Sequence, residues 1–114
     1  MDIKQFTEQI LQTAEQFHWL SVEDVRYAKN RVKIRLTIDI GYIDIFYNSE
    51  TGRISYTYIE LGKRVFGADN MKIGWHIHPF EDPARHDVTG RAVSLEEFLQ
   101  TLENKLRDNS QSAN

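Results

Sequence analysis

Three of the chain's four histidines lie in one short segment, at positions 76, 78 and 86. Residues two apart share a face of a β-strand, so a strand through this segment would place His76 and His78 side by side. The apolar residues that alternate with them would face the core, namely Ile73, Trp75 and Ile77. We therefore expect both imidazoles on an open sheet face, accessible to solvent.

A pair of accessible imidazoles is suited to proton transfer near neutral pH. In RNA cleavage without a metal, one ring removes the proton of the 2′-hydroxyl and the other protonates the leaving oxygen, while a cation stabilises the phosphorane. The sequence assigns these roles to His76, His78 and Arg64. This interpretation requires no cofactor.

Two other interpretations remain open. In the first, His76, His78 and His86 bind a metal ion, with help from Asp82 or Asp87, and the chain is a metal-dependent hydrolase. The chain has no cysteine, so the ligands must be nitrogen and oxygen atoms. In the second, the histidines are unremarkable surface residues and the chain is a non-enzymatic module that binds another protein through its sheet.

Polar residues flank the histidines on both sides. Loop positions of this kind often carry binding residues. The candidate substrate-binding residues near the histidines are Asp69, Asn70, Lys72 and Arg85.

A basic stripe lies on a different predicted strand. Lys33 and Arg35 share a face with Arg31, opposite to apolar neighbours. If that face also carries the histidines, cations and aromatic side chains such as Tyr47, Tyr56 or Tyr58 would form an RNA-binding surface with them.

Hydrophobic periodicity predicts the elements that position these residues. Segments 3–17 and 95–106 repeat apolar residues at helical spacing, and Ser94 with Glu97 predicts a capping box at the start of the second helix. Between them, β-rich segments are punctuated by turn residues at 31–40, 42–48, 53–61, 64–69 and 72–78. Pro79 and Pro83 predict that the sheet ends there. The fold class is therefore α+β, an antiparallel meander of four to five strands with an N-terminal and a C-terminal helix packed on one face.

Length and composition predict a single domain over residues 1–107, followed by a disordered polar tail over 108–114. We expect it to fold alone or as a small homo-oligomer. The N-terminus lacks the apolar stretch of a signal peptide or a membrane span, so we expect a cytoplasmic protein without a membrane partner. The net charge of −3 argues against a large nucleic-acid interface and leaves room only for a local basic patch.

The second half of the chain resembles a known family. The run RVFGADNMKIGWHIHPF followed by SLEEFLQTLENKL is similar to the TumE-type toxins of bacterial and archaeal toxin-antitoxin pairs. The resemblance is carried by Asp69-Asn70, His76-x-His78 and Ser94-Leu95-Glu96, in that order. It implies a small toxin acting on RNA as a ribonuclease, neutralised by a cognate antitoxin that binds DNA through a helix-turn-helix.

Overall fold

The chain forms two helices and seven strands. The computed structural model describes residues 1–72 and 74–112. Helix α1 spans Ile3–Ala14 and helix α2 spans Leu95–Ser112. The strands are β1 (Ser21–Ala28), β2 (Arg31–Ile38), β3 (Gly41–Asn48), β4 (Arg53–Glu60), β5 (Lys63–Asp69), β6 (His76–His78) and β7 (Asp87–Val88). The predicted α+β class with helices at both ends of the chain is confirmed.

All seven strands belong to one antiparallel sheet, whose spatial order follows the chain order from β1 to β7. The five strands from β2 to β6 cover the segments expected from the sequence. The predicted count of four to five is too low because β1 and β7 add one strand at each edge. Strand β1 was missed because most of its residues are exposed and show no apolar alternation. The two prolines after His78 fall in a connection, and the sheet resumes with the two-residue β7.

Alternation of side chains divides the sheet into two faces. The buried residues of β2 and β3 point to one face, and the cross-strand register continues this face through Tyr56 and Tyr58 to Phe66 and Ala68. Both helices pack here. Phe6 of α1 stacks on Tyr47 with ring centroids 4.4 Å apart, and Phe98 of α2 contacts Phe66 at 4.7 Å. The opposite face has no helix on it, and we call it the open face.

A β-bulge in β5 changes which residues reach the open face. Tyr58 pairs with Phe66, but the next residue, Ile59, pairs with Arg64, so Val65 is an extra residue in the strand. Because Ile59 points to the open face, its partner Arg64 points there too. In a regular strand, Arg64 would share a face with Phe66 and point to the helices.

The helix ends follow the capping rules. Asp2 and Gln5 form a complete capping box on α1. At α2, the Ser94 hydroxyl accepts the Glu97 N–H at 3.1 Å, while the Glu97 carboxylate binds Arg91. Helix α2 continues to Ser112, inside the segment expected to be a disordered tail, and residues 113–114 lie outside the described residues. Among the described residues, neither helix has the length and apolar character needed to cross a membrane.

Phe98 tests the packing of α2 on the sheet. It is 1% exposed and contacts the rings of both Tyr56 and Phe66. We expect Phe98→Ala to lower the free energy of unfolding by about 3 to 5 kcal/mol, because the truncation leaves a cavity in the core. The measurement is urea denaturation followed by circular dichroism. Glu96→Ala, on the exposed side of the same helix turn, is the matched control and should stay within about 0.5 kcal/mol of wild type.

Candidate functional site

His76 and His78 lie on the open face, as the alternation predicts, but they are not accessible. They pair with Asp69 and Gly67 of β5, while Trp75 and Ile77 pack against the core. Ile73, the third apolar residue of the expected pattern, lies outside the described residues. The two histidines are only 4% and 3% exposed, so the expectation of solvent-accessible imidazoles is wrong.

Segment 79–91 buries the histidines by folding back beside β6. Its strand β7 pairs with β6, and the Thr89 N–H donates to the Trp75 carbonyl at 3.1 Å. Arg85 organises the middle of the segment, donating to both carboxylate oxygens of Asp87 at 2.8 and 2.9 Å and to Glu81 at 3.1 Å. These bonds raise the pKa of Arg85 and lower that of Asp87, so both remain charged. Arg85, predicted to bind substrate, is therefore occupied within this segment.

Asp69 joins the two buried imidazoles. Its Oδ1 lies 3.1 Å from His76 Nε2, and its Oδ2 lies 3.0 Å from His78 Nε2. The Met71 N–H also donates to Oδ1 at 3.0 Å. Cross-strand pairing of Asp69 with His76 places the carboxylate beneath both rings. The three side chains therefore form one polar cluster at the end of β5 and β6.

The other ring nitrogens are fixed by main-chain carbonyls. His76 Nδ1 is 2.9 Å from the Gly74 carbonyl oxygen, and His78 Nδ1 is 3.1 Å from the Pro83 carbonyl oxygen. A carbonyl oxygen only accepts, so each Nδ1 carries the proton. In a neutral ring, Nε2 then has a free lone pair, and both lone pairs converge on the side occupied by the Asp69 carboxylate.

His86 completes the cluster from the solvent side. Its ring centroid lies 4.8 Å from that of His76 and 4.5 Å from that of His78. One ligand atom from each of the three histidines lies within 4.8 Å of the others. His86 is exposed, yet partial loss of hydration and the neighbouring imidazoles of His78 and His76 lower its pKa. It is therefore neutral at pH 7, the form in which histidine binds metal ions.

Arg64 borders the cluster. Its Nη2 donates to the Pro83 carbonyl at 2.8 Å, the same oxygen that accepts from His78. Gly67 lies between the two side chains, and a Cβ there would be in ordinary van der Waals contact with Arg64 Cδ and His78 Cδ2, at 3.6 Å from each. The structure therefore brings Arg64, predicted to act with the histidines, to their side. Its guanidinium is exposed and has further N–H donors for an anion.

Other predicted binding residues near the histidines do not join the cluster. Asn70 ties the end of β5 to the preceding strand and turn, accepting from the Ile54 N–H at 2.8 Å and donating to the Gly52 carbonyl at 2.9 Å. This bonding is structural. Lys72 is exposed in a left-handed turn with φ of 61°. Asp82 and Asp87, considered as metal ligands, form no ion pair with a histidine among the described residues, whereas Asp69 contacts two of them.

The basic stripe shares the open face with the histidines but lies far from them. The register links Arg35 through Asp44 and Thr57 to Gly67 and so to His78, four strands away. At about 4.8 Å per strand, Lys33 and Arg35 are about 19 Å from the imidazoles of His76 and His78 on β6. The tyrosines expected beside them, Tyr47, Tyr56 and Tyr58, point to the helices instead.

Sequence reasoning missed the carbonyl groups of Gly74 and Pro83. Main-chain acceptors leave no trace in residue type, so no pattern could have revealed them. The sharing of Asp69 by two histidines was accessible in principle, because a hairpin formed by β5 and β6 pairs residues 69 and 76.

Comparison with known proteins found no family model, no curated protein and no solved structure that matches this chain. The geometry of the cluster is therefore the basis for inferring its chemistry.

The cluster predicts metal binding. We expect untagged protein, first dialysed against EDTA, to bind one equivalent of zinc in a calorimetric titration at pH 7 and to show a raised Tm, because zinc binds only the folded site. His86→Ala should weaken binding by at least about 100-fold, as expected for a lost ligand rather than a lost supporting group. His18→Ala is the control, since it removes the one histidine outside the cluster. Equal affinity in the two variants would contradict the site.

Proposed function

We propose that the chain is a metal-dependent hydrolase that holds one divalent first-row transition ion with His76, His78, His86 and Asp69. The observation that carries this proposal is the contact of Asp69 with Nε2 of two histidines whose Nδ1 atoms are fixed by carbonyl groups. This is the arrangement of metal-binding histidines, in which the second ring nitrogen donates to a carbonyl or carboxylate. A nitrogen and oxygen ligand set without thiolate suits zinc, manganese, iron or cobalt.

The distances fit an ion after a small adjustment. Tetrahedral ligands about 2.1 Å from zinc are about 3.4 Å from one another. The oxygens of Asp69 already lie 3.0 and 3.1 Å from the two Nε2 atoms, while the histidine ligand atoms lie within 4.8 Å. His86 must approach the other ligands, and its exposed position in a connecting segment permits this.

The same bonds make His76 and His78 poor candidates for metal-independent acid and base catalysis. A general base needs a free nitrogen within reach of the proton it removes. Nδ1 of each ring is held by a carbonyl, Nε2 faces the Asp69 carboxylate at 3.0 to 3.1 Å and is closed to a substrate, and both rings are almost completely buried. The interpretation of this pair as proton-transfer groups is therefore less well supported than the metal site.

A bound ion of this kind polarises a substrate oxygen and activates a water molecule at neutral pH. The residues of the chain have separate tasks. Asp69 supplies the negative charge that offsets part of the charge of the ion, and the carbonyls of Gly74 and Pro83 hold the two buried rings in the required tautomer. His86 lies on the side open to solvent. Arg64, anchored on Pro83, stabilises the negative charge that develops on the substrate.

The resemblance to TumE-type toxins favours RNA as the substrate, and Arg64 is suited to bind a phosphodiester. In this proposal the chain is the toxin of a toxin-antitoxin pair, and a cognate antitoxin is its protein partner. In cleavage of an RNA backbone the ion would activate the attacking water or 2′-hydroxyl, Arg64 would stabilise the charge on the phosphorane, and solvent water would protonate the leaving oxygen.

RNA hydrolysis is the direct test. We expect cleavage of a labelled single-stranded RNA in the presence of manganese or zinc, complete loss in EDTA, and recovery when the ion is restored. Arg64→Gln should lower kcat by about 10²-fold, since it removes one charge stabiliser. His86→Ala should abolish cleavage while preserving the unfolding midpoint, and His18→Ala should leave the rate unchanged. Tight metal binding without hydrolysis of any RNA would identify a closed structural site instead.

Growth provides the cellular test. We expect expression of the chain without a partner to inhibit bacterial growth, and His76→Ala and His86→Ala to relieve the inhibition because each removes a ligand. Growth curves with equal protein levels, checked by immunoblot, give the comparison. A wild-type chain that is harmless at high expression would count against the toxin proposal but not against the metal site.

A further inference from the structure

Phe46 occupies an unusual position on the open face. It lies in the middle of β3 between Ile45 and Tyr47, both buried against the helices, so its own ring points away from them. The ring is half-buried, and the described residues give it no aromatic partner. Its direct cross-strand neighbours are Lys33 on β2 and Ser55 on β4.

Three cations surround this ring. Lys33 is directly opposite, at 3.7 Å from an oxygen of Asp44. Arg31 and Arg53 both pair with Asn48, which puts them on the diagonals from Phe46, about 7 to 8 Å away and within reach of long side chains. Both arginines are exposed, and among the described residues neither has an ion pair. A local excess of positive charge therefore surrounds an aromatic ring in a chain of net charge −3.

Arg35 does not belong to this group. It donates to both oxygens of Asp44, at 2.8 and 3.0 Å, and its guanidinium lies 4.0 Å from the centroid of Tyr42. The bonds to Asp44 raise its pKa and hold it flat on the sheet. Arg31 and Arg53, which have no ion pair among the described residues, therefore lie with Lys33 at the end of the strands that contains Phe46.

One cross-strand row connects Phe46 to the histidine cluster. The register continues from Phe46 through Ser55 to Asp69 and His76. The adjacent row contains Thr57 and then Gly67, so several of the residues on the open face between the ring and the cluster are small. At about 4.8 Å per strand, Phe46 lies about 10 Å from Asp69, a span of one or two extended nucleotides.

From this arrangement we infer that the open face binds single-stranded RNA, with one base stacked on Phe46 and the flanking phosphates bound by Lys33, Arg31 and Arg53. An aromatic ring in a basic setting is how many proteins bind single strands, because every base offers a flat face for stacking. In a duplex the bases stack on one another and cannot reach a ring in a flat sheet. The inference deepens the proposed function by naming how its substrate is held, but binding itself does not require the metal ion.

Fluorescence anisotropy with a short labelled RNA tests the inference, in EDTA so that no cleavage occurs. We expect Phe46→Ala to weaken binding by about 5- to 100-fold, the range for loss of one base-stacking partner. Phe46→Leu keeps the apolar contact with the sheet and should be weakened nearly as much. Tyr27→Ala is the matched control, because Tyr27 is 55% exposed on an edge strand and its partner Val32 faces the helices. It should bind like wild type.

Salt dependence isolates the phosphate contacts. Lys33→Gln should weaken binding at low salt. It should also reduce the magnitude of the slope of log K against log salt by about one, the contribution of one phosphate contact. Unchanged affinity in Phe46→Ala, an equal loss in Tyr27→Ala, or equal affinity for duplex RNA would each overturn the inference. Binding that depends on Phe46 without any cleavage would support the inference and reject the hydrolase, whereas metal-dependent cleavage with no effect of Phe46 would do the reverse.

Discussion

The Asp69 carboxylate, held between two buried imidazoles, is the interaction on which the local structure depends. A buried carboxylate or imidazole without partners is costly, so each polar atom in this cluster must be bonded. The carbonyls of Gly74 and Pro83 accept from the Nδ1–H of the two rings, while each Nε2 lies against an Asp69 oxygen, a contact that a ring N–H or an ion held between ring and carboxylate completes. The path of segment 79–91 follows from this requirement, because only a chain that folds back beside β6 can bring the Pro83 carbonyl to His78.

The meander keeps this cluster apart from the apolar core. Alternate residues of each strand point to the helices and to the open face. Phe98 therefore packs on one face of the sheet, while His76 lies on the other. Among the described residues the core therefore supplies stability without a buried charged group, while the open face carries charged and aromatic residues without disturbing the helices. Antiparallel sheets often divide their faces in this way.

The sequence was informative where the periodicity of apolar residues determines the structure. Alternation over 31–40 and 72–78 correctly predicted that Lys33 and His76 point away from the apolar core. Helical periodicity correctly predicted a helix at each end of the chain. It failed where structure depends on pairing between distant segments. Strand β1 has little apolar pattern, and the two residues of β7 become a strand through their pairing with β6. The burial of the histidines depends on the connection after β6, where Pro79 and Pro83 had predicted the end of the sheet. The distance between Arg35 and His78 depends on the order of the strands in the sheet.

The bulge in β5 decides which face carries Arg64. Val65 is an extra residue without a register partner on β4, so Arg64 and Phe66 point to opposite faces although they are two residues apart. Deletion of Val65 would remove the bulge and still leave Arg64 opposite Ile59 on the open face, because neighbouring residues of a strand alternate. A single-residue deletion at this position would therefore shorten β5 without moving the guanidinium to the helix face.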